Sequence, residues 1–315
     1  MSAYLARRSF QLAVTVFGIV TMVFLMLRLL PGDPAAFIAG ENVGEEALQA
    51  MRVKLGLDQP IGLQYVTYLA KVARFDLGAS IVTGLPVLDL ITGALPVTLL
   101  VGTTSLVMGF LISVPLGTIA AYLSSKGRDG LDQAVIWLTL VLDIMPSFWM
   151  ALLFMLFFTL MLGWLPATGQ LDFSDPMALA KRMALPVLTL GLAQIATVAR
   201  ITRTAVLEVL HEDYVRTARS MGTSDLVVLF KHALPNAALP VVTIAGLSFG
   251  RLLGGTIIIE TIFALPGMGT LLVNGINGRD YPVVQGTILL YAVMFILVNL
   301  ATDLIYTKVD PRIKL

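Results

Sequence analysis

The chain contains no cysteine, which excludes disulfides, thiolate metal sites and a cysteine nucleophile. That absence fits any compartment and assigns none. Histidine is almost as scarce: the only two are His211 and His232. Charge is scarce as well, at 13% of residues against about 25% in soluble domains. The formal net charge is +1, with no concentrated basic face outside short loops, so no nucleic-acid partner is expected. No Gly-x-x-x-x-Gly-Lys-Ser/Thr phosphate loop occurs, so the chain is not expected to hydrolyse a nucleotide itself. There is no internal repeat and no low-complexity tract.

What remains is apolar. Hydrophobic residues make up 57% of the chain and the mean hydropathy is +0.88, a composition that belongs in a bilayer. Arg7 and Arg8 precede an apolar run from Ser9 to Leu30, about 20 residues and long enough to span. A cleaved signal peptide is the alternative, but Pro31-Gly32-Asp33-Pro34 stands where a small-x-small cleavage site would. Residues 31–95 form the one long extramembrane segment. It holds two amphipathic helices, Glu45 to Leu55 ended by Gly56, and Pro60 to Arg74. Five further spans follow: Pro96 to Leu123, an over-long Leu131 to Leu162, Met183 to about Leu207, Ala237 to Phe263 and Val283 to Tyr306. The loops between them include a Pro-, Gly- and Asp-rich segment from Gly163 to Lys181 and a Gly-rich one from Leu265 to Tyr281. The expectation is thus an all-α integral membrane protein with six transmembrane helices, a core over 96–306 and a tail at 307–315. Basic residues then fall mainly on the cytoplasmic side, among them Lys126, Arg200, Arg203, Arg216, Arg219 and Lys231, while Lys181, Arg182 and Arg279 lie outside. Both termini are expected in the cytoplasm.

The longest polar interruption of the apolar second half runs from Asp213 to Pro240, within a loop taken as 208–236. Asp213 to Met221 reads as a short helix, with a carboxylate at its positive end and Gly222 placed for a left-handed stop. A second helical stretch starts at Ser224 as its cap and runs towards Pro235. A compact amphipathic helix between two spans suits docking against a soluble partner.

Arg216-Thr217-Ala218, three residues, Gly222, nine residues and His232-Ala233-Leu234-Pro235 resemble the EAA loop of ABC importer permeases. That loop reads Glu-Ala-Ala, three residues, Gly, nine residues, Ile-x-Leu-Pro. The departures at Arg216, Thr217 and His232 are similar to the dipeptide, oligopeptide and nickel branch. Further pieces resemble that branch along the whole chain: Leu30-Pro31-Gly32-Asp33-Pro34, Asp76-Leu77-Gly78, Pro146-Ser147-Phe148-Trp149, Glu260-Thr261-Ile262-Phe263, Arg279-Asp280-Tyr281-Pro282 and Asp310-Pro311-Arg312. The resemblance implies a type I importer transmembrane domain in the inner membrane. It implies a homologous second permease, two ATPase subunits carrying ATP and magnesium, and an extracytoplasmic solute-binding protein. It implies that Asp213, Tyr214, Val215, Arg216, Thr217, Ala218, Met221 and Gly222 form the coupling helix against the ATPase. Peptides or related small solutes are the implied cargo.

Charges inside spans are costly and need a reason. Asp143 and Arg251 both count to about 18–22 Å from a cytoplasmic helix end, near mid-membrane. They are expected to form an ion pair, or else to line the translocation path. Arg28 and Glu260 lie near outer helix ends and Asp303 near an inner one. A second class of function, an ion-coupled secondary transporter, would use Asp143 as its coupling group. A third, an intramembrane hydrolase, rests on Gly246-Leu247-Ser248-Phe249-Gly250, which matches a nucleophile elbow but lies inside an apolar span. Gly246, Gly250 and Gly254 read more simply as a small-residue helix-packing face. Pro115, Pro146, Pro186 and Pro240 fall in or at the ends of spans and are candidate kinks.

Overall fold

The computed structural model describes residues 2–29, 35, 44–54, 56–127, 129–169 and 171–309. The segments Pro31-Gly32-Asp33-Pro34 and Asp310-Pro311-Arg312 lie outside them, as do the side chains of Arg28 and Asp303. The described residues form helices and no strand, with one isolated bridge between Ala79 and Pro86. In chain order the helices are α1 (Ser2–Leu29), α2 (Glu45–Lys54), α3 (Ile61–Ala73), α4 (Val87–Ser125), α5 (Asp129–Ile144), α6 (Ser147–Phe154), α7 (Pro176–Leu210), α8 (Asp213–Ser220), α9 (Asp225–Val227), α10 (Leu234–Asn236), α11 (Ala238–Ile262), α12 (Met268–Asn277) and α13 (Tyr281–Val309). A π-helical turn, Met155–Met161, continues α6, and another, Val228–Ala233, joins α9 to α10.

Among the described residues four helices are long and apolar enough to cross a membrane: α4, α7, α11 and Tyr281–Thr302 of α13. The expected straight span from Leu131 to Leu162 is instead broken: Gln133–Ile144 and Ser147–Met161 bend by 97°. Pro146 is the cause. It offers no N–H to continue the helix, and it pushes the preceding residue out of the helical region. Counted as one crossing, the bent pair makes five. In α1 the apolar described stretch is Leu12–Leu25, shorter than a full span, so the expected six is not reached among the described residues.

The helix ends differ from expectation in informative places. α4 starts at Val87 rather than Pro96, because apolar residues continue upstream and the helix runs through Pro96 as its tenth residue. α7 starts at Pro176, where Asp175 caps it by accepting from the N–H groups of Met177 and Ala178 at 2.9 and 3.1 Å. The loop 265–281 contains α12, with Met268, Leu272 and Gly275 buried on one face. Gly56 follows α2 at φ +65°, the left-handed stop the sequence predicts. Large apolar side chains such as Phe10, Met22, Leu111 and Leu160 lie on the outside, as suits a chain solvated by lipid tails.

The chain divides into two compact units, 1–96 with 266–296, and 97–265 with 297–315. In the first, Val87, Ile91 and Val283 form a small core with Leu77, Leu271 and Leu290 around it. Asp280 is buried there and accepts from the Ser80 hydroxyl at 2.5 Å and from the N–H groups of Ile81 and Val82 at 3.2 and 3.4 Å. This carboxylate ties the 80–82 turn to the start of α13. Phe24 of α1 meets Tyr65 and Tyr68 of α3 at 5.2 and 5.6 Å between ring centroids.

In the second unit the main core joins Val97 and Val101 of α4 to Leu185 and Leu190 of α7 and to Leu252 and Ile259 of α11. Helices α4 and α7 touch backbone to backbone. Gly109 meets Gly191, and eight residues later on both helices Gly117 meets Ala199. Equal spacing on each partner means the two helices run parallel. The chain between them therefore has to return the same distance, and α5 with α6 and its π-turn is the stretch available to do so. Arg182 is buried inside α7, at 3% exposure, rather than in an outer loop. Its guanidinium donates to the carbonyl oxygens of Ala167, Gly169 and, at 2.6 Å, Phe263, which fixes the 163–175 loop and the end of α11 to one point.

Candidate functional site

α8 is eight residues long and sharply two-sided. Val215 and Ala218 are buried, at 0% and 8% exposure, in a cluster with Val206, Leu210, Val228, Leu229 and Ala233. Asp213, Tyr214, Arg216, Thr217, Met221 and Gly222 are exposed. Ala218 thus packs beneath the exposed face, where the helix rests on the ends of α4 and α7. The C-terminus closes as a Schellman motif: the Thr223 N–H reaches the Ala218 carbonyl at 3.1 Å and the Gly222 N–H reaches Arg219 at 3.0 Å. Gly222 has φ +85°, the left-handed value the sequence predicts for it. At the second helical stretch Ser224 occupies the cap position, but its side chain makes no capping bond.

Polar contacts hold α8 from two sides. The Asn236 amide donates to the Tyr214 hydroxyl at 3.0 Å and to the His232 carbonyl at 2.6 Å. Asp225 lies 2.8 Å from the Lys126 ammonium and 3.5 Å from Arg219, and accepts from the Tyr122 hydroxyl at 3.3 Å. The Lys126 ammonium hydrogen bond, aided by the charges of Lys126 and Arg219 and by Tyr122, holds the Asp225 carboxyl below the usual carboxylate range. The end of α4, α8 and α9 are thereby clipped together at one carboxylate. The Arg216–Asp213 pair, 3.4 Å apart on the exposed face, contributes little to stability.

The expected Asp143–Arg251 ion pair is not formed. Asp143 pairs with Arg200 of α7 at 2.7 Å. The charge pattern counts Arg200 among the cytoplasmic basic residues, but it lies ten residues, about 15 Å, before the end of α7 at Leu210. The bend at Pro146 also sets the direction of α5 independently of α6. We expect Asp143→Asn and Arg200→Gln each to lower the yield of folded chain, and the double variant to recover part of the loss. A coupling energy on the order of 1 kcal/mol is appropriate, since the two side chains are 35% and 39% exposed. Strictly additive losses, read from the folded fraction on size exclusion, would show the pair to be inert.

Arg251 is exposed midway along α11 and has no ion pair or hydrogen bond among the described residues. It lines a cleft of about 170 Å³ with Ser147 at the start of α6, Gln194 and Thr197 of α7, and Ser248 and Gly255 of α11. Ser248 sits within the continuous helix α11, so the strand-turn-helix setting of a nucleophile elbow is absent there. The glycine face is used unevenly. A Cβ on Gly246 would lie 2.2 Å from the Thr302 hydroxyl, whereas one on Gly254 would meet nothing within 4 Å. Gly250, between them, is half-buried. Glu260 is fully buried near the end of α11. Among the described residues no group of three or more His, Asp or Glu is placed to hold a metal ion.

Three features escaped the sequence reading: the Arg182 clamp, the Asp280 clamp and the Gly109–Gly117 contact. The last had a signal, two glycines eight residues apart facing Gly191 and Ala199 at the same spacing. The clamps had none, because their partners are chiefly backbone groups that any sequence supplies: carbonyls accepting from Arg182 and N–H groups donating to Asp280.

Residues 113–315 match the family described as binding-protein-dependent transport system inner membrane component, and residues 1–102 match its N-terminal counterpart. A putative peptide transport system permease protein of Brucella abortus (strain 2308) is 41% identical over 316 residues, covering 100% of this chain and 99% of that one. A dipeptide transport system permease protein of Alkalihalophilus pseudofirmus is 38% identical over 335 residues, covering both chains fully. A glutathione transport system permease protein of Escherichia coli O6:H1 is 40% identical over 314 residues, covering 100% and 99%. Among solved structures, an inward-facing MetNI methionine ABC transporter chain superposes with TM-score 0.61 at 20% identity, covering 71% of this chain and 97% of that one. A likeness at that identity speaks to fold alone.

Proposed function

Because this chain belongs to the binding-protein-dependent transport system inner-membrane component family, we propose that it couples solute import to ATP hydrolysis on separate subunits through α8. It is a permease subunit of an ATP-driven ABC importer. With a second, homologous permease it forms the translocation path for peptides or a related small solute. Two ATPase subunits bind ATP and magnesium, since this sequence has no phosphate loop, and an extracytoplasmic binding protein delivers the solute. Both termini and α8 face the cytoplasm.

The observation that carries this reading is the build of α8. Its underside is packed against the ends of two long apolar helices, and its C-terminal end is fixed by the Schellman motif and the Asp225 clip. Its outer face is left to exposed Asp213, Arg216, Thr217 and Met221. A short helix so held transmits a push as a rigid body to the helices beneath it. Pairing of Asp143 with Arg200 also removes the motive for an ion-coupled mechanism at that carboxylate.

The missing cysteine makes the test direct. A Thr217→Cys chain carries one thiol, and in the purified complex a short bifunctional thiol–amine reagent should join it to an ATPase subunit. Absence of that adduct from Thr217→Cys, Arg216→Cys and Met221→Cys alike, with all three thiols open to a small maleimide, would rule out docking through α8.

A further inference from the structure

The cleft between α6, α7 and α11 holds an isolated guanidinium. Arg251 is about 20 Å from the start of α11 and about 17 Å from its end, too deep to reach headgroups from either side. A cation at such depth ordinarily has a partner on a neighbouring helix. Arg251 has none among the described residues, and Asp143, the carboxylate expected at the same depth, is already taken by Arg200. The remaining lining is complementary and also unsatisfied. Ser248 is 2% exposed and its hydroxyl has no partner among the described residues. Gln194 donates its amide to the Leu190 carbonyl at 3.4 Å, which leaves its buried Oε1 as an acceptor with no donor. Ser147 opens α6 directly after Pro146, so the cleft also borders a helix N-terminus with N–H groups that have no intrahelical acceptor.

From this geometry we propose that Arg251 receives a carboxylate of the transported solute, with Ser248 as a second donor and Gln194 Oε1 accepting an adjacent N–H. The proposal rests on the reading of this chain as lining a translocation path and adds the chemical class of what passes. A guanidinium matches a carboxylate with two parallel donors, and Ser248, one helical turn before it, lies on the same face. An amide acceptor beside the pair selects a solute whose carboxylate neighbours an N–H, as at the C-terminus of a peptide. The volume, about 170 Å³, is enough for that end group. With Asp143 and Arg200 neutralising each other, the cleft carries one positive charge, which concentrates anions without trapping them in a closed cage.

The test uses single thiols in the otherwise cysteine-free chain, Thr197→Cys and Ser147→Cys, within the full importer in proteoliposomes. Each is reacted with an anionic and with a cationic methanethiosulfonate, and modification of this chain is read by mass spectrometry. The anionic reagent should react faster by about tenfold, the low end for a cleft of one sign. Adding Arg251→Gln should bring the ratio close to one, and Arg251→Lys should keep most of it. Alanyl-alanine should slow modification more than its C-terminal amide does. Modification without charge preference, or with a preference that Arg251→Gln leaves unchanged, overturns the carboxylate assignment while the path reading stands. No modification at either position in any nucleotide state overturns the path reading and the assignment with it.

Discussion

Gly222→Val is expected to cut substrate transport by about tenfold or more while the spans still insert. Gly222 sits at φ +85°, where a β-branched residue is a strong outlier and the strain is on the order of 1–3 kcal/mol. A Cβ there would meet nothing within 4 Å, so the effect is conformational and not a clash. Relief of the strain requires Gly222 to leave the left-handed region. That breaks the bonds from Gly222 to Arg219 and from Thr223 to Ala218 and releases the end of α8 from the Asp225 clip. On the proposed coupling role, α8 then yields under load instead of moving the helices beneath it. Asn tolerates the left-handed region better than other non-glycine residues, so Gly222→Asn should stay near wild type, with Gly222→Ala between the two. Substrate-stimulated ATPase activity and uptake in proteoliposomes read the series. A Gly222→Val complex with full stimulation would mean that the Schellman turn has no part in coupling.

Gly117→Leu should prevent recovery of the folded chain altogether. A Cβ at Gly117 would lie 2.4 Å from the Ala199 carbonyl oxygen, 2.9 Å from the Thr202 Cβ and 3.0 Å from the Arg203 N–H nitrogen. Two of these are backbone atoms of α7, which no rotamer change can move aside. The helices must part, and with them the core joining Val97 and Val101 to Leu185 and Leu190. Overpacking that side chains absorb costs about 1–3 kcal/mol, and a backbone obstruction belongs at the upper end of that range or beyond. Even Gly117→Ala should be harmful, whereas Gly102→Ala on the same helix, with nothing within 4 Å, should be harmless. Monodisperse chain on size exclusion in mild detergent measures the difference. Recovery of Gly117→Leu at the wild-type level would show that α4 and α7 do not cross as closely as described.

The class of the protein and the ends of α8 were legible in the sequence because their causes are local. An apolar run of sufficient length needs a bilayer whatever surrounds it, and a glycine after an amphipathic octet stops the helix through its own backbone freedom. The Pro146 break was legible too, as a candidate kink, though not its 97° angle. Partnerships were decided elsewhere. Asp143 has Arg200 rather than Arg251 because helix rotations, which no single stretch encodes, bring α5 against α7. The backbone-to-backbone approach falls at Gly117, while Gly246 meets only the Thr302 side chain and Gly254 meets nothing, for the same reason: a glycine permits contact, but the neighbouring helix determines whether contact occurs. Arg182 and Asp280 found backbone partners whose positions exist only once the chain has folded. Propensity and hydropathy act over a few neighbouring residues, whereas ion pairing and close packing depend on groups that only tertiary structure brings within a few ångströms.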